Sequence, residues 1–188
     1  EGGLEALVID LDKCLIRSYA GIPAFVELMR AREGSWMGVI EYVFLAIRLK
    51  ISCSKFRFLW PPFWHLDGLG FQDRSLCFEL RTSEEALQKA VMCGLPKVFD
   101  MVRLPLMGLC RLARERGAEI VMATANSATF AEPLAEKLGI TTVLASRLDR
   151  NLGRPSAILV GEHKKQAVLD WLTQKGFSVR RSWLITDL

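Results

Sequence analysis

Closely spaced cysteines are missing from this sequence of 188 residues. The cysteines are odd in number, and no two of them form a Cys-x-x-Cys pair. They are Cys14, Cys53, Cys77, Cys93 and Cys110. Disulfide frameworks and zinc sites need paired, regularly spaced cysteines, so the spacing argues against both. No secretory signal peptide is visible either. We therefore expect reduced thiols in a reducing compartment, and hence a cytoplasmic protein.

Dense clusters of basic residues are also missing. The 25 Lys and Arg residues exceed the 21 Asp and Glu residues by only four, and both kinds are spread along the chain. No nucleic-acid-binding motif occurs, so we predict that the protein has no nucleic-acid partner. The small positive charge is compatible with an anionic small substrate or with a membrane surface, but it requires neither.

An uninterrupted apolar run long enough to cross a membrane is likewise absent. Residues 36–64, WMGVIEYVFLAIRLKISCSKFRFLWPPFW, form the most apolar stretch. Charged residues interrupt it at Glu41, Arg48, Lys50, Lys55 and Arg57. A spanning helix needs about 20 mainly apolar residues, so we predict no transmembrane span. A segment that lies on a membrane surface is the alternative, and it would give the protein a peripheral membrane contact.

Strand and helix patterns alternate along most of the chain. Four apolar segments are typical of buried strands: residues 4–10, 119–126, 141–146 and 181–188. Helical patterns separate the last three strands, and residues 147–161 indicate a turn or small hairpin. Such alternation predicts an α/β, Rossmann-like fold with a parallel sheet and right-handed crossovers.

A helical insertion is predicted after the first strand. Residues 17–103 carry helix signals and no clear strand, and one of their helices is predicted to begin at Thr82 or Ser83 and to end at Gly94. Pro105 then starts the first helix of the following module. We therefore predict a core formed by residues 1–16 and 104–188, with residues 17–103 as a helical cap.

Polar side chains follow the predicted strands at the point where each one ends. Asp10 and Asp12 follow the first strand, Thr124 ends the second, and Asp187 lies at the end of the fourth. Ligands of open α/β sheets bind at this edge. Two carboxylates about 4 Å apart repel by about 4 kcal/mol at an effective dielectric constant of about 20, so such a cluster needs a cation or a shared proton. Mg²⁺ suits a site with few carboxylates and a phosphate.

An anion site is predicted beside these carboxylates. Thr124 offers a hydroxyl, and the backbone N–H groups after it lie at a helix N-terminus, where anions bind readily. Lys164, near the start of a later helix, adds a positive charge. Carboxylates, a metal ion, a hydroxyl, amides and a lysine together indicate phosphoryl transfer.

Four short segments resemble the motifs of the haloacid dehalogenase-like phosphatase superfamily. They are DLDKC (residues 10–14), VMATANSATFAEPLAEKLGI (121–140), GEHKKQAVLDWL (161–172) and WLITDL (183–188). Each motif is short, but all four occur in the expected order and each lies at a strand or helix end. The chain is most similar to the phosphoserine-phosphatase-like branch, subfamily IB, whose helical C1-type cap follows the first motif.

The resemblance implies catalytic and metal-binding roles for three aspartates. Asp10 would be the nucleophile that forms an aspartyl-phosphate. Asp12 would act as general acid and then as general base, and its backbone carbonyl would bind Mg²⁺. Asp187 would complete the metal site with Asp10 and Asp12. The family usually adds a second acid a few residues later, so we expect a further ligand beyond Leu188. Cys14 stands where the family usually has Thr.

The resemblance also implies phosphate-binding residues. Thr124 and the backbone amide of Ala125 would hold the phosphoryl oxygens, and Lys164 would neutralise the nucleophile and the phosphate. The adjacent Lys165 is the fallback for this lysine. Asn126 is either a helix cap or a site residue, and the sequence does not decide between the two.

An aromatic group in the insertion bears on the substrate. Its members are Phe56, Phe58, Trp60, Phe63, Trp64 and Phe71. They form either the core of the cap or an apolar substrate entrance beside a membrane. The second interpretation, together with the neighbouring basic residues, suggests a lipid-like phosphate ester.

The sequence and the resemblance together predict a Mg²⁺-dependent phosphomonoester hydrolase. Its partner would be a phosphorylated small molecule or lipid. Two alternatives stay open: a catalytically weak module that binds a phosphorylated ligand in a regulatory role, and a phosphotransferase. The oligomeric state is not readable from the sequence.

Overall fold

The computed structural model describes residues 3–17 and 68–186. It also describes the isolated positions Pro23, Val26, Glu27, Ile40, Phe44 and Ile47. All statements below refer to these residues. The predicted site residue Asp187 lies outside them, as does residue range 48–67, which holds most of the aromatic group.

Five strands and five helices form the described part of the chain. The strands are β1 (Ala6–Asp10), β2 (Glu119–Ser127), β3 (Thr142–Asp149), β4 (Arg154–Ala157) and β5 (Ser182–Ile185). The helices are α1 (Gly68–Leu80), α2 (Glu84–Phe99), α3 (Leu104–Glu115), α4 (Ala128–Lys137) and α5 (Glu162–Lys175). A wide helical turn, Leu11–Leu15, follows β1, and a short 3₁₀ turn, Val179–Arg181, precedes β5.

The strands form one sheet in the order β4-β3-β2-β1-β5. β1 lies inside the sheet and pairs in parallel with both β2 and β5, and β2 pairs in parallel with β3. β4 returns antiparallel to β3, which confirms the predicted hairpin after the third strand. All five residues of β1 are buried, as its continuous apolar run predicted. The α/β, Rossmann-like fold class is confirmed.

Alternate residues of β1 pack into two different layers. Leu7 and Ile9 belong to one hydrophobic cluster, which also contains Leu95 of α2 and Leu134 of α4. Val8 faces the other way and packs with Trp171 and Leu172 of α5. Successive side chains of a strand point to opposite faces, so these contacts place helices on both sides of the sheet. The aspartates therefore follow the most enclosed strand of the core.

The sequence prediction for the end of α2 was wrong. Ser83 caps the helix as expected, because its Oγ accepts the N–H of Ala86 at 3.3 Å. However, the helix continues through Gly94 and Pro96 to Phe99. Leu95 and Val98 are fully buried in the core, and burial of each large apolar side chain is worth about 1.5–3 kcal/mol. That gain offsets the cost of a glycine and a proline inside the helix.

The chain enters and leaves the insertion along two adjacent segments. Ile16 and Val102 form an isolated antiparallel bridge. The N–H of Arg17 donates to the carbonyl of Met101, and the N–H of Arg103 donates to the carbonyl of Leu15, both at 2.9 Å. The described parts of the insertion are helical. Its predicted limits, residues 17 and 103, stay a prediction.

No helix among the described residues is long and apolar enough to cross a membrane. Most of residues 36–64, for which a membrane-surface alternative was proposed, lies outside the described residues. The same holds for the aromatic residues between positions 56 and 64 and for the side chain of Phe71. Their predicted roles are therefore untested.

Candidate active site

The candidate site lies at the carboxyl edge of the parallel strands. Asp10, the last residue of β1, pairs with Ala123 of β2, and Thr124 is the next residue of β2. On the other side of β1, Thr186 follows the last residue of β5. Because parallel strands end at the same edge of a sheet, three predicted segments of the site meet here.

Asp10 and Lys164 form an ion pair in the centre of this edge. Nζ of Lys164 donates to Oδ2 of Asp10 at 2.5 Å. Only 9% of the Asp10 side chain and 25% of the Lys164 side chain are exposed. Oγ1 of Thr186 also reaches Oδ2 of Asp10, at a longer 3.4 Å. No described residue donates to the second carboxylate oxygen, Oδ1.

The start of α5 selects Lys164 rather than Lys165. Gly161 precedes the helix at φ 54° and ψ −122°, a backbone conformation that favours glycine. Lys164 lies in the first turn and faces the sheet edge. Lys165 instead pairs with the exposed Glu162 at 3.0 Å and is itself 64% exposed. Of the two lysines that the sequence left open, only Lys164 contacts Asp10.

The turn after β1 directs Asp12 toward β2. Lys13 has a φ of 57°, a left-handed conformation that is uncommon outside glycine. Arg103 donates to the carbonyl of Lys13 at 3.2 Å. The buried Cys14 donates its S–H to the carbonyl of Ile185 at 3.4 Å, which ties the turn to β5.

Asn126 joins Asp12 to Thr124. Its Nδ2 donates to Oδ2 of Asp12 at 3.0 Å and to Oγ1 of Thr124 at 3.1 Å. The backbone N–H of Asn126 also donates to Oγ1 of Thr124, at 3.1 Å. Since this buried oxygen accepts twice, the hydroxyl proton of Thr124 is left to donate. Asn126 is thus placed in the site, and the neighbouring Ser127 is the N-cap residue of α4.

Ala125 is held by its carbonyl group. The carbonyl accepts from Oγ of Ser146 at 2.8 Å and from Nε2 of Gln72 at 2.5 Å. Ser146 lies on β3 and is fully buried, and its Oγ accepts the N–H of Leu159 at 2.9 Å. Gln72 lies on α1, in the predicted cap. The segment predicted to bind phosphate is therefore fixed from the core and from the insertion.

Glu79 of α1 lies near Ser127, and burial there disfavours the negative charge of its carboxylate. Its Oε2 is shielded from solvent and, like Oγ of the adjacent Ser127, has no hydrogen-bond partner among the described residues. Burial raises the pKa of Glu79 to about 7. The Ser127 hydroxyl lies near the carboxyl group but outside normal hydrogen-bond geometry. This hydroxyl and the Arg150 guanidinium lower the pKa of Glu79, but by less than burial raises it.

The donor atoms for a metal ion are only partly described. Asp10 supplies a carboxylate oxygen and Asp12 a backbone carbonyl oxygen, and Mg²⁺ prefers oxygen ligands. Both residues lie at or just after the end of β1. The third predicted ligand, Asp187, is outside the described residues. Within the described ranges, no group of three or more His, Cys, Asp or Glu side chains could hold a metal ion. The described residues fit a Mg²⁺ site that needs at least one further ligand.

Three residues of this region received no role from the sequence. Ser146 ends the predicted third strand, and Thr186 precedes Asp187 near the end of the predicted fourth. The rule that identified Thr124 could therefore have identified both. Gln72 carries no sequence signal, because its contact depends on how α1 packs against the core. The roles assigned to Asp10, Asp12, Thr124, Ala125 and Lys164 stay predictions, now with defined positions.

Most of the chain matches one protein-family model. The family model described as haloacid dehalogenase-like hydrolase matches residues 7–188. No curated protein matches the chain.

Solved structures share the fold at low sequence identity. A protein of unknown function from Bordetella pertussis Tohama I has a TM-score of 0.75 and 16% identity over 97% of this chain and 82% of that one. A HAD family hydrolase from Salmonella enterica serovar Typhi has a TM-score of 0.63 and 12% identity over 97% of this chain and 55% of its own. A phospho-aspartyl intermediate analogue of phosphoserine phosphatase has a TM-score of 0.60 and 13% identity, over 97% and 78%.

Proposed function

The chain belongs to the haloacid dehalogenase-like hydrolase family, and we propose that it hydrolyses phosphate monoesters through an aspartyl-phosphate at Asp10. One observation carries the proposal: the buried Asp10 carboxylate, at the end of β1, is paired through one oxygen with Lys164 at 2.5 Å. The family match predicted from the four motifs is confirmed, and so is hydrolase membership. The substrate, the covalent intermediate and the metal ion are part of the proposal.

In the first step, Oδ1 of Asp10 attacks the phosphorus atom of the ester. Lys164 and Thr186 both reach Oδ2, so their contacts do not occupy the attacking oxygen. The phosphorus–oxygen bond to the leaving group breaks, and Asp12 donates a proton to the departing alkoxide oxygen. The ammonium group of Lys164 offsets the negative charge that Asp10 and the phosphoryl group bring together.

In the second step, water releases the phosphate. Asp12, now deprotonated, accepts a proton from a water molecule as its oxygen attacks phosphorus. The bond between phosphorus and Asp10 breaks, which restores the carboxylate and yields inorganic phosphate. Asn126 donates to Oδ2 of Asp12 at 3.0 Å, which orients this carboxyl group for both proton transfers.

The phosphoryl oxygens would be held by the last part of β2, the strand next to β1 in the sheet. Thr124 would donate its hydroxyl proton to one oxygen, and the backbone N–H of Ala125 would donate to another. The carboxylate of Asp10 and the backbone carbonyl of Asp12 would hold Mg²⁺, with Asp187 as the third protein ligand. Bound Mg²⁺ would neutralise part of the phosphate charge and so favour attack by an anionic carboxylate.

Turnover by the full-length protein tests this proposal. The protein is assayed with Mg²⁺ against a panel of soluble phosphate monoesters and phosphorylated lipids, and release of inorganic phosphate is measured. Asp10→Asn removes the nucleophile and should lower kcat by about 10³-fold or more. Asp170→Asn is the matched control, because Asp170 lies on the exposed side of α5, where its carboxylate accepts from Gln166 at 2.7 Å.

The pattern of products separates the alternatives. Substantial turnover by Asp10→Asn would contradict the aspartyl-phosphate mechanism. Phosphate binding without turnover of any ester would favour the regulatory binding module. Transfer of the phosphoryl group to an added alcohol, in preference to water, would favour the phosphotransferase.

A lipid-like or otherwise apolar phosphate ester is the finer part of the proposal. Its support is the aromatic and basic composition of residues 36–64. One solved structure of similar fold is a phosphoserine phosphatase, which makes a small, water-soluble ester the competing substrate class and suits the predicted cytoplasmic location. Higher kcat/KM for lipid phosphates than for soluble esters would support the lipid substrate and a peripheral membrane contact, whereas the reverse order would contradict both.

A further inference from the structure

Two side chains from different parts of the fold hold one carbonyl group in the candidate site. Gln72 of α1 donates to the carbonyl of Ala125 at 2.5 Å, and Ser146 of β3 donates to the same oxygen at 2.8 Å. Ser146 is itself fixed, since it is fully buried and accepts the N–H of Leu159. A carbonyl oxygen has two lone pairs, so the two donors together satisfy it.

Fixing this carbonyl fixes the peptide group to which it belongs. The peptide between Ala125 and Asn126 is planar, so the direction of its C=O sets the direction of its N–H. That N–H donates to Oγ1 of Thr124, and the side chain of the same Asn126 reaches Asp12. Rotation of this peptide would therefore disturb Thr124 and Asp12 together.

We propose that Gln72 is a positioning residue for phosphate binding, which acts from the insertion on the Ala125–Asn126 peptide, with Ser146 as its counterpart in the core. This proposal rests on the proposed function, because it concerns the segment that would hold the phosphoryl group. Gln72 does not touch the phosphate in this scheme. Its amide keeps Thr124 and the backbone of Ala125 in the geometry that the phosphoryl oxygens require.

A purely structural role is the competing explanation for Gln72. The neighbourhood of α1 also contacts the core elsewhere, because Arg150 donates to the carbonyl of Thr82 just after the helix. If Gln72 only attached α1 to the core, its loss would lower stability without changing the affinity of the folded protein for phosphate. The affinity therefore distinguishes the two roles.

Calorimetric titration of the full-length protein with inorganic phosphate, in the presence of Mg²⁺, measures that affinity without requiring turnover. Gln72→Met keeps the length of the side chain and removes the donor. We expect the Kd for phosphate to rise about three- to tenfold, the effect of losing one net hydrogen bond. Gln88→Met is the matched control, since Gln88 lies on an exposed face of α2, and its Kd should stay within about twofold of wild type.

The double variant tests whether the two donors share one function. Ser146→Ala alone should raise the Kd by a similar factor, because Gln72 still holds the carbonyl. Loss of both donors frees the peptide, so the Kd of the double variant should exceed the product of the single effects. The melting temperature of each variant, measured in parallel, reports any loss of folding.

Each outcome has a defined meaning. An unchanged Kd for Gln72→Met, in a protein whose wild type binds phosphate, overturns the positioning role and leaves the proposed function intact. A lower melting temperature with an unchanged Kd does the same and assigns Gln72 a structural role. Absence of phosphate binding by the wild type overturns the proposed function and the positioning role together.

Discussion

Nζ of Lys164 lies 2.5 Å from Oδ2 of Asp10, although 154 positions separate the two residues in the sequence. The pairing follows from the topology, because α5 begins at the same sheet edge at which β1 ends. Both side chains are mostly buried, so neither charge is well solvated if the other is removed. The Asp10–Lys164 ion pair therefore matters both for the fold and for the proposed chemistry.

Loss of the positive charge at Lys164 should lower kcat/KM far more than loss of the positive charge at the adjacent Lys165. Lys164→Met removes the ammonium group that pairs with Asp10 and would offset the charge of the incoming phosphate. We expect kcat/KM to fall by about 10²–10³-fold, the usual effect of removing one stabilising group from an active site. Lys165→Met removes the same charge from an exposed position, and its kcat/KM should stay within about twofold of wild type. Equal losses in the two variants would contradict the assignment of Lys164.

Asn126 should contribute to turnover through Asp12. Asn126→Ala removes the donor to Oδ2 of Asp12 and one donor to Thr124. Since Asp12 would lose this orienting contact, we expect kcat to fall by about 10- to 100-fold. Asn151→Ala, in the exposed β3–β4 turn, is the control and should keep wild-type kcat. An unchanged kcat for Asn126→Ala would show that the contact from Asn126 does not orient Asp12 for turnover.

Much of the site could be predicted from the sequence because its residues stand at the ends of apolar segments. A continuous apolar run marks a strand that is buried on both faces, and the first polar residues after it mark the edge of the sheet. This reasoning located Asp10, Asp12 and Thr124 before the pairing of the strands was known. It depends only on local pattern and on the rule that parallel strands end together.

The remaining features depend on packing that no local pattern records. Lys164 and Lys165 are adjacent, so the choice between them needs the orientation of α5 on the sheet. Gln72 lies in an insertion without a motif, and its partner is 53 positions away. At Gly94 a local rule for helix ends was overruled by burial of the residues that follow. Tertiary contacts, rather than propensity, decided each of these points.

Helix α2 should contribute to the stability of the core, although it lies inside the predicted cap. Leu95 is fully buried in the cluster that contains Leu7 and Ile9. Leu95→Ala would leave a cavity there, and we expect the free energy of unfolding to fall by about 2.7–5 kcal/mol. Leu112→Ala is the matched control, because Leu112 of α3 is 53% exposed, and its effect should be below about 1 kcal/mol. Urea unfolding measures both. A small effect for Leu95→Ala would indicate that the cap unfolds independently of the core.

Glu79 should make the protein less stable as the pH rises through neutrality. Its pKa is about 7 in the folded protein, above the ordinary value of 4.5, because burial disfavours the carboxylate. Between these two values the folded state binds more protons than the unfolded state, so the free energy of unfolding falls as the pH increases. The full loss, on the order of 3 kcal/mol, is reached above the pKa of the folded state.

Glu79→Gln tests this dependence, because glutamine has a similar shape and cannot ionise. At about pH 8 the variant should be more stable than the wild type, and at about pH 5 the difference should shrink or reverse, since the wild-type carboxyl group is then protonated in the folded state. Urea unfolding at both pH values gives the free energies. Glu136→Gln, on the exposed face of α4, should show no such pH-dependent difference. If Glu79→Gln followed the wild type in parallel from acid to alkaline pH, Glu79 would not be titrating in the interior between α1 and Ser127.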